Sequence, residues 1–460
     1  MKVSVIIPAY NGAAYLSETI RSVLNQTHQN FEIIVVDDAS QDQTADIVRQ
    51  FGDLRIRYIA HEENRGVDIA RLSALRNATG DIFAFLDQDD LFHSEKLAAH
   101  VALMRQRPEV GFSYNSRFEL NPSATTIRDI WRPPQEISLA DLVLGFPIAP
   151  SEMVFRRKWS SYLDLSKEPP LIHGGEYVIT GRLFLSGCRF GSVDRALNYR
   201  RFHSSRRMPN LRIRCEAELL AQKRIFDDPR CPSEIIALQN EAFGNTYRIW
   251  SYYAFLQEET NLGQEFLQKA VSLNHTVLDG QPSNLVHFLL ICSIDDESQS
   301  HEEILKRIFA QLPPAMAYLS KNYDWAVARG YFLKGARATI WGRPEDGCRY
   351  FEHAMRLGVT FDELLVSQLT QSLLNYQIEY GDAATLDIIR ALRSYLEKFW
   401  GRKIGRRLVG CYMINRALQD YHRGCYPQVV RRVTSALVYS PEYITNRGAA
   451  SILLRSIFRR

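Results

Sequence analysis

The sequence has few of the features that are typical of secreted proteins, of proteins stabilised by a structural metal, or of membrane-spanning proteins. Its seven cysteines are scattered, their number is odd and no Cys-x-x-Cys pair occurs. That pattern argues against a disulfide framework and a zinc ribbon, so reduced and mostly buried thiols are expected. No apolar run approaches the ~20 residues that span a bilayer. Because the start has only about five apolar positions before Pro8, too few for a signal peptide, a soluble, cytoplasmic protein is expected.

A strong net charge is also lacking, since the whole chain sums to only +4. That total hides three unlike blocks: residues 1–210 sum to zero, residues 211–397 to −7 and residues 398–460 to +11. A basic block attracts anionic lipid or nucleic acid. With no nucleic-acid motif and no aromatic stacking pattern beside it, no nucleic-acid partner is expected. Two interpretations remain: a solvated face partly paired with the acidic middle, or a peripheral contact with an anionic membrane at its inner face.

Strand and helix patterns alternate over the first ninety residues. Short β-branched apolar runs predict four strands, at 3–8, 31–36, 56–60 and 82–86. Apolar residues at helical spacing predict three helices between them, at 16–24, 44–51 and 65–77. This alternation is typical of an α/β domain with a mostly parallel sheet. Ligands of such sheets bind beyond the carboxyl ends of the strands, where three of these four strands have suitable polar residues.

From about Leu211 onward, apolar residues recur every three to four positions and strand-like runs almost disappear. Three segments show a helix, a turn and a second helix: 243–274, 329–357 and 411–442. They resemble tetratricopeptide-type helix pairs, which repeat at about 34 residues, although a plain helical bundle is the alternative. We therefore predict an α/β domain at 1–205 and an all-α region at 206–460 that ends in the basic block.

Two acidic clusters follow two of the predicted strands. Asp37 and Asp38 close the second strand, and Asp87, Asp89 and Asp90 close the fourth. Carboxylates crowded together repel one another unless a cation or a hydrogen-bond donor neutralises them. Because oxygen ligands favour Mg²⁺ or Mn²⁺, the second cluster predicts a metal site. An ordinary Asp-rich turn is the alternative.

The order and approximate spacing of these motifs resemble the family 2 glycosyltransferases. The likeness rests on VSVIIPAYN at 3–11, VVDDAS at 35–40 and GDIFAFLDQDD at 80–90, and it covers about residues 1–205. It implies a GT-A-like fold and a metal-dependent, inverting transfer of a sugar. The implied donor is a nucleotide sugar linked to UDP or dTDP, and the implied acceptor is a hydroxyl of a glycan or a lipid-linked glycan.

The resemblance implies which positions hold the nucleoside. Pro8 and Ala9, through their backbone, and the ring of Tyr10 would contact the base and ribose. Asp38 would accept a hydrogen bond from the N3–H of the base, which favours uracil or thymine.

Further positions would hold the diphosphate and the metal. Arg71 and Arg201 would face the phosphates, and Asp87 would contact the ribose or a metal-bound water. Asp89 would ligate the Mn²⁺ or Mg²⁺, and His203 of the Tyr-Arg-x-His-like element could approach it. Leu72 departs from the family, which commonly has Asn after the arginine.

Glu176 is the candidate general base. The family usually opens a late helix with Glu-Asp, where this chain has Gly175 and Glu176. A carboxylate there can take the proton of an acceptor hydroxyl, while a helix-start carboxylate favoured by the helix dipole is the alternative. The departure also motivates a second hypothesis, in which a catalytically weak or inactive transferase domain is carried on a helical interaction scaffold.

A sugar-nucleotide nucleotidyltransferase is disfavoured. Such enzymes need a basic, glycine-rich phosphate loop near the first strand, whereas the segment that follows this strand has no Lys or Arg until Arg21. The helical region is expected to dock an acceptor, a partner protein or a membrane surface, because helical repeats form extended concave faces.

Overall fold

The computed structural model describes residues 1–121, 125–163, 171, 174–201, 210–296 and 299–458. The chain forms two compact units. The first comprises residues 1–127, 131–285 and 307–318, and the second comprises residues 128–130, 286–306 and 319–460. The helices that directly follow residue 205 therefore lie in the first compact unit, and a functional boundary at 205 stays a prediction.

One mixed sheet forms the centre of the first unit, apart from residues 128–130 of one of its strands, which the second unit contains. Its strands are β1 (Val3–Ala9), β2 (Phe31–Asp37), β3 (Ile56–Ala60), β4 (Ile82–Phe85), β5 (Leu91–Phe92), β6 (Val110–Leu120), β7 (Ile127–Trp131), β8 (Val154–Arg156) and β9 (Arg189–Arg200). They lie in the order β3-β2-β1-β4-β8-β6-β9-β5, with β7 beside β6. The pairs β1–β2, β1–β4, β2–β3 and β6–β9 are parallel, whereas β8 runs antiparallel to β4 and β6. The α/β class is confirmed, and the predicted parallel strands form one half of a mixed sheet.

Ten helices lie in the first unit among the described residues. They are α1 (Leu16–Leu24), α2 (Thr44–Gln50), α3 (Val67–Asn77), α4 (Lys96–Gln106), α5 (Leu139–Gly145), α6 (Gly175–Leu185), α7 (Leu211–Phe226), α8 (Ser233–Ile236), α9 (Gln239–Leu256) and α10 (Thr260–Leu273). Short 3₁₀ helices occupy Pro150–Glu152, Arg157–Leu163 and His275–Leu278. The predicted helix at 65–77 begins two residues late, because Gly66 has φ 88° and lies outside the helical region.

Helices cover both faces of the sheet. Alternate residues of a strand point to opposite faces, so Val5 and Ile7 pack with α1, α2 and α4 in one apolar cluster. Ile6 and Ile34 pack with α3, α5, α6 and α7 in the other. Strands buried on both faces explain the continuous apolar runs in the sequence.

The remaining helices are α11 (Asn284–Asp295), α12 (His301–Ala310), α13 (Tyr323–Ile340), α14 (Pro344–Arg356), α15 (Glu363–Trp400), α16 (Arg402–His422), α17 (Tyr426–Tyr439) and α18 (Arg447–Ile457), with 3₁₀ helices at Pro314–Asn322 and Pro441–Thr445. Gly381, with φ 79°, divides α15 into two helical parts. Among the described residues, no strand follows Arg200. Across the same described ranges, no helix is both long and apolar enough to cross a bilayer.

The three predicted helix pairs coincide with α9–α10, α13–α14 and α16–α17. Small residues let paired helices approach closely. An added Cβ at Gly347 of α14 would lie 3.0 Å from the Gly335 carbonyl oxygen of α13 and would overlap the Thr339 hydroxyl. The glycines of the predicted turns, Gly342 and Gly424, have φ values of 77° and 74°, where a side chain would be strained.

Candidate active site

Three loops meet at the carboxyl edge of the parallel strands. Since β2, β1 and β4 are neighbours, the residues that follow them lie side by side. The Gln88 side chain joins two of these loops: the Tyr10 N–H donates to Oε1 at 2.9 Å, and Nε2 donates to the Tyr10 carbonyl at 3.1 Å. The Asn11 N–H donates to the Ser40 hydroxyl at 2.9 Å and joins the third. The Tyr10 ring is left 45% exposed at this edge.

Pro8 and Ala9 are buried within β1, directly before that loop. Pro8 pairs with Val36 of β2. The Ala9 carbonyl accepts a hydrogen bond from the Asp38 N–H at 2.7 Å. Their predicted contact with the nucleoside stays a prediction.

The Asp38 carboxylate is buried and holds the segment that precedes α3. Its Oδ1 lies 2.7 Å from the His61 Nδ1 and accepts from the Arg65 N–H at 3.0 Å. Its Oδ2 accepts from the Gly66 N–H at 2.7 Å. Asp38 thus fixes the loop that leads into α3. The predicted bond to a base N3–H would share these oxygens with protein donors.

Arg71 of α3 contacts the first aspartate of the acidic loop. Its Nη2 donates to Asp87 Oδ1 at 2.9 Å, and its Nη1 lies 3.4 Å from Asp68 Oδ1. The guanidinium also stacks over the Phe85 ring at 5.4 Å. Burial by itself lowers the pKa of Arg71, but the carboxylates of Asp87, Asp68 and Glu176 outweigh burial and raise it. Arg71 therefore brings a fixed positive charge to the end of β4.

The acidic cluster is crowded. Burial raises the pKa of Asp87; Arg71 acts against this shift, while Asp89 and Glu176 add to it. Burial, together with Asp89 and Asp87, raises the pKa of Asp90 to about 7. Burial and mutual repulsion thus both disfavour the charged carboxylates, and a bound cation would favour them.

Two segments that come later in the chain donate hydrogen bonds to the Asp90 carboxylate. The Ser151 hydroxyl donates to its Oδ2 at 2.6 Å, and the Arg201 N–H donates to its Oδ1 at 3.3 Å. The Arg201 guanidinium forms an ion pair with Glu18 and lies 5.1 Å from the centre of the Tyr15 ring. The end of β9 is thereby fixed beside the acidic loop.

Glu176 is the second residue of α6 and is partly exposed. It lies close enough to Arg71 and Asp87 to raise the pKa of each. The predicted base, the predicted phosphate arginine and the first aspartate of the acidic loop therefore form one electrostatic group. This grouping joins α3, α6 and the end of β4.

Gly175 leaves room for the Asp68 carboxylate at the start of α6. A Cβ at this position would overlap the Asp68 Cγ and Oδ2, and would lie 2.6 Å from Oδ1. The family's usual glutamate therefore could not stand here with Asp68 in place. A carboxylate from α3 instead lies at the first turn of α6, where the helix dipole favours negative charge.

Helices α7 and α9 hold the first turn of α6 from the opposite side. Glu218 of α7 accepts hydrogen bonds from the Tyr177 hydroxyl at 3.1 Å and from the Trp250 Nε1 at 2.9 Å. The Tyr177 ring packs against Phe146 with centroids 4.1 Å apart. The helices after residue 205 thus help to position the segment that carries Glu176.

The acidic loop fits a divalent cation shared with a diphosphate. Among the described residues, no group of three or more His, Cys, Asp or Glu side chains could hold a metal ion by itself. Mg²⁺, however, is commonly held by one or two carboxylates together with substrate phosphates. The oxygen-only cluster, and the buried Nε–H groups of Arg71 and Arg201 that lack an acceptor within the described part of the chain, suit such an anionic ligand.

The structure brings most of the predicted site residues to one edge of the sheet. Arg71, Asp87 and Glu176 form one charged group, and Arg201 contacts the acidic loop through its backbone. His203 lies outside the described residues, so its predicted contact with the metal stays a prediction. Three residues that sequence reasoning missed support the site: Asp68, Gln88 and Ser151. Of these, Asp68 had a sequence signal in its i,i+3 spacing to Arg71, and Gln88 in its place within the acidic motif at 80–90.

Comparison with known proteins shows which sequences and structures this chain resembles. The model of glycosyl transferase family 2 matches residues 4–161. TuaG of Bacillus subtilis, named for teichuronic acid biosynthesis, is 38% identical over 30% of this chain and 56% of TuaG. WfaP of Escherichia coli, named as a UDP-Glc:alpha-D-GlcNAc-diphosphoundecaprenol beta-1,3-glucosyltransferase, is 30% identical over 44% of this chain and 78% of WfaP. A crystal structure of S. aureus TarS 1-349 with UDP aligns with a TM-score of 0.39 and 20% identity, over 72% of this chain and 90% of that one.

The extent of these matches differs between the relatives. The chain spans about half of the length of TuaG, at 56%, and more than three quarters of WfaP, at 78%. The match to WfaP has 30% identity and covers most of that protein. The family model matches the segment that contains β1, β4 and the acidic loop. The chain therefore belongs to glycosyl transferase family 2.

Proposed function

We propose that this chain is an inverting glycosyltransferase that moves a sugar from a UDP- or dTDP-linked donor to a hydroxyl of a glycan or lipid-linked acceptor. The observation that carries the proposal is the electrostatic group of Arg71, Asp87 and Glu176 at the carboxyl edge of the sheet. It joins a cation for phosphates, a carboxylate for the ribose or metal side and a carboxylate for the acceptor.

Each residue has a distinct part in the proposed reaction. Tyr10 and Asp38 hold the base, and Arg71 with Arg201 orient the diphosphate. Asp89, with Asp87, would hold Mn²⁺ or Mg²⁺. Such an ion, when bound, stabilises the negative charge that develops on the diphosphate.

The transfer is a single displacement. The acceptor oxygen forms a bond to the anomeric carbon as the bond from that carbon to the diphosphate oxygen breaks. Glu176 accepts the proton of the acceptor hydroxyl. Because the attack comes from the face opposite the diphosphate, through an oxocarbenium-like transition state, the anomeric configuration inverts.

Two observations support the donor and acceptor classes. The name of WfaP describes a UDP-linked glucose donor and an acceptor on diphosphoundecaprenol, and WfaP shares 30% identity with this chain. Asp38 is the aspartate expected to bind uracil or thymine. The hydrogen bond from its N–H to the Ala9 carbonyl holds it beside the loop that carries Tyr10.

The test is a transfer assay with a panel of UDP- and dTDP-sugars, Mn²⁺ and a polyprenyl-diphosphate glycan acceptor. Asp89→Ala and Glu176→Gln should each lower transfer by about 10²-fold or more. Glu176→Gln should retain the donor-induced rise in melting temperature, which reports binding without chemistry. Asp46→Asn is the matched control, because this exposed carboxylate lies on α2 and pairs only with Arg49 at 3.2 Å among the described residues.

Equal transfer by the wild type and both site variants would overturn the proposal. Donor binding without transfer, at every acceptor tried, would instead favour the inactive domain on a helical scaffold. If Asp46→Asn remains active, loss of a carboxylate outside the site does not by itself abolish sugar transfer.

A further inference from the structure

Helix α18 has two apolar faces, and among the described residues only one of them is packed. Ala449 and Ile452 are buried against Val429 and Val433 of α17 and against Ile414. On the opposite side, Leu454 is 57% exposed, Ile457 47% and Phe458 85%. Their i, i+3 and i+4 spacing places all three on one face, and the Phe458 N–H still donates to the Leu454 carbonyl at 3.3 Å.

Cationic side chains without acidic partners accompany this outer face. Arg447 lies about two helical turns before Leu454 on the same face, and Arg455 directly follows Leu454. Both arginines are exposed. Neither forms an ion pair with any described residue.

The basic block at 398–460 divides into two parts. Arg416 lies 3.4 Å from Asp382 and Asp420, and Arg432 lies 2.6 Å from both, so these cations are neutralised internally. Within the described ranges, the exposed cations of the block with no ion pair are Lys398, Arg402, Lys403, Arg406, Arg423, Arg431, Arg447 and Arg455. The predicted pairing with the acidic middle therefore accounts for only part of the +11 charge.

We propose that the outer face of α18 docks on the anionic surface of a lipid bilayer. An 11-residue helix is about 16 Å long, too short for the ~30 Å hydrocarbon core. Such a helix lies in the interface, with its apolar side chains at the headgroup boundary and its basic side chains against anionic headgroups. Leu454, Ile457 and Phe458 supply the apolar part, and Arg447 and Arg455 supply the charge.

Charge distinguishes this occupant from a second copy of the chain. Two copies joined through α18 would bring two uncompensated basic faces together, which like-charge repulsion opposes. An anionic bilayer is complementary to the same face in both charge and polarity.

The first test is sedimentation of the full-length protein with vesicles. The wild type should bind phosphatidylcholine vesicles that contain phosphatidylglycerol, release them at high salt, and leave pure phosphatidylcholine vesicles unbound. L454S/I457S/F458S should weaken the vesicle affinity by about tenfold or more. The control M355S/L357S/L364S removes three exposed apolar side chains outside α18, which are 41%, 46% and 45% exposed, and should bind as the wild type does.

The second test changes charge alone. R447Q/R455Q should weaken binding by roughly fivefold for each charge removed, because a cation near an anionic leaflet contributes about that factor. K321Q/R356Q removes two exposed cations outside the block and should bind as the wild type does. Thermal melting of each variant shows that it folds.

Three results would overturn the proposal: no binding of anionic vesicles by the wild type, equal binding of neutral vesicles, or unchanged binding by a folded L454S/I457S/F458S. A dimer in analytical ultracentrifugation that this variant abolishes, without vesicle binding by the wild type, would assign the face to a second copy. None of these measurements depends on sugar transfer.

Discussion

At the scale of single residues, one missing side chain explains a departure from the family pattern. Gly175 stands where a glutamate is usual, and the Asp68 carboxylate occupies the space that its Cβ would need. Asp68 in turn lies 3.4 Å from Arg71, which contacts Asp87. The negative charge at the start of α6 is therefore supplied from α3.

Gly175→Ala tests this arrangement. The added methyl group must displace a buried carboxylate, so we expect a loss of about 1–3 kcal/mol in the free energy of unfolding. Asp68→Ala in the same chain removes the clash, and the double variant should show a coupling of about 1 kcal/mol or more. Urea unfolding measures all four proteins.

Gly145→Ala is the control for this prediction. A Cβ at Gly145, the last residue of α5, meets nothing within 4 Å, so the free energy of unfolding should stay near that of the wild type. Additive effects of Gly175→Ala and Asp68→Ala would contradict the proposed contact.

At the scale of elements, close approach between helices decides several positions. Gly174 has φ 87°, outside the helical region, so α6 begins at the next residue, Gly175. Gly347 of α14 packs on the backbone of α13, with its would-be Cβ 3.0 Å from the Gly335 oxygen. Gly174 is therefore determined by its own backbone conformation, and Gly347 by the neighbouring helix.

Gly347→Ala separates helix propensity from packing. In an isolated helix, alanine is favoured over glycine by about 0.5–1 kcal/mol. Here the methyl group overlaps Thr339, so we expect the free energy of unfolding to fall by about 1–3 kcal/mol. Chemical denaturation measures the change.

Thr339→Ala provides the comparison for this variant. In the Thr339→Ala background, the cost of Gly347→Ala should shrink, because the hydroxyl group is gone, although the Gly335 oxygen remains. A Gly347→Ala protein as stable as the wild type would show that α13 and α14 are not tightly apposed.

At the scale of the whole molecule, two ionisable groups with lowered pKa values contribute to the pH dependence of stability. Burial lowers the pKa of His301 to about 4, since the ring packs under α13 with Nε2 3.1 Å from the Val327 carbonyl oxygen. Burial raises the pKa of Glu32, but hydrogen bonds from Ser4, Thr79 and Lys2 outweigh it and lower that pKa to about 2. The two groups act in successive acid ranges.

His301→Gln tests the first range. Below pH 6.5 the unfolded chain protonates His301, while the folded chain does so only near pH 4, so stability falls as the pH falls through this window. The wild type should lose about 3 kcal/mol between these limits through this group. His301→Gln, which cannot titrate, should show a shallower decline in unfolding free energy.

His422→Gln is the matched control, because His422 is exposed. Its pH profile should follow that of the wild type. Parallel profiles for His301→Gln and the wild type between pH 6.5 and 4 would contradict the buried, neutral state of His301.

The sheet and helix order could be predicted because local patterns determine them. β3 at Ile56–Ala60 has its predicted bounds, and β1, β2 and β4 differ by a residue at their ends. Buried parallel strands require continuous β-branched runs, and amphipathic helices require a period of 3.6, so both leave a mark in the sequence. The acidic loop was predicted for the same reason, because it directly follows such a strand.

Support of the site was decided by the tertiary structure alone. Ser151 holds Asp90 from 61 positions away, and Glu218 holds Tyr177 from 41 positions away. No local period encodes such contacts, since they exist only once separate elements pack together. The same holds for the basic block. Its charge is a property of composition, whereas packing decides that Arg416 and Arg432 are paired internally and that Leu454, Ile457 and Phe458 of α18 are exposed within the described part of the chain.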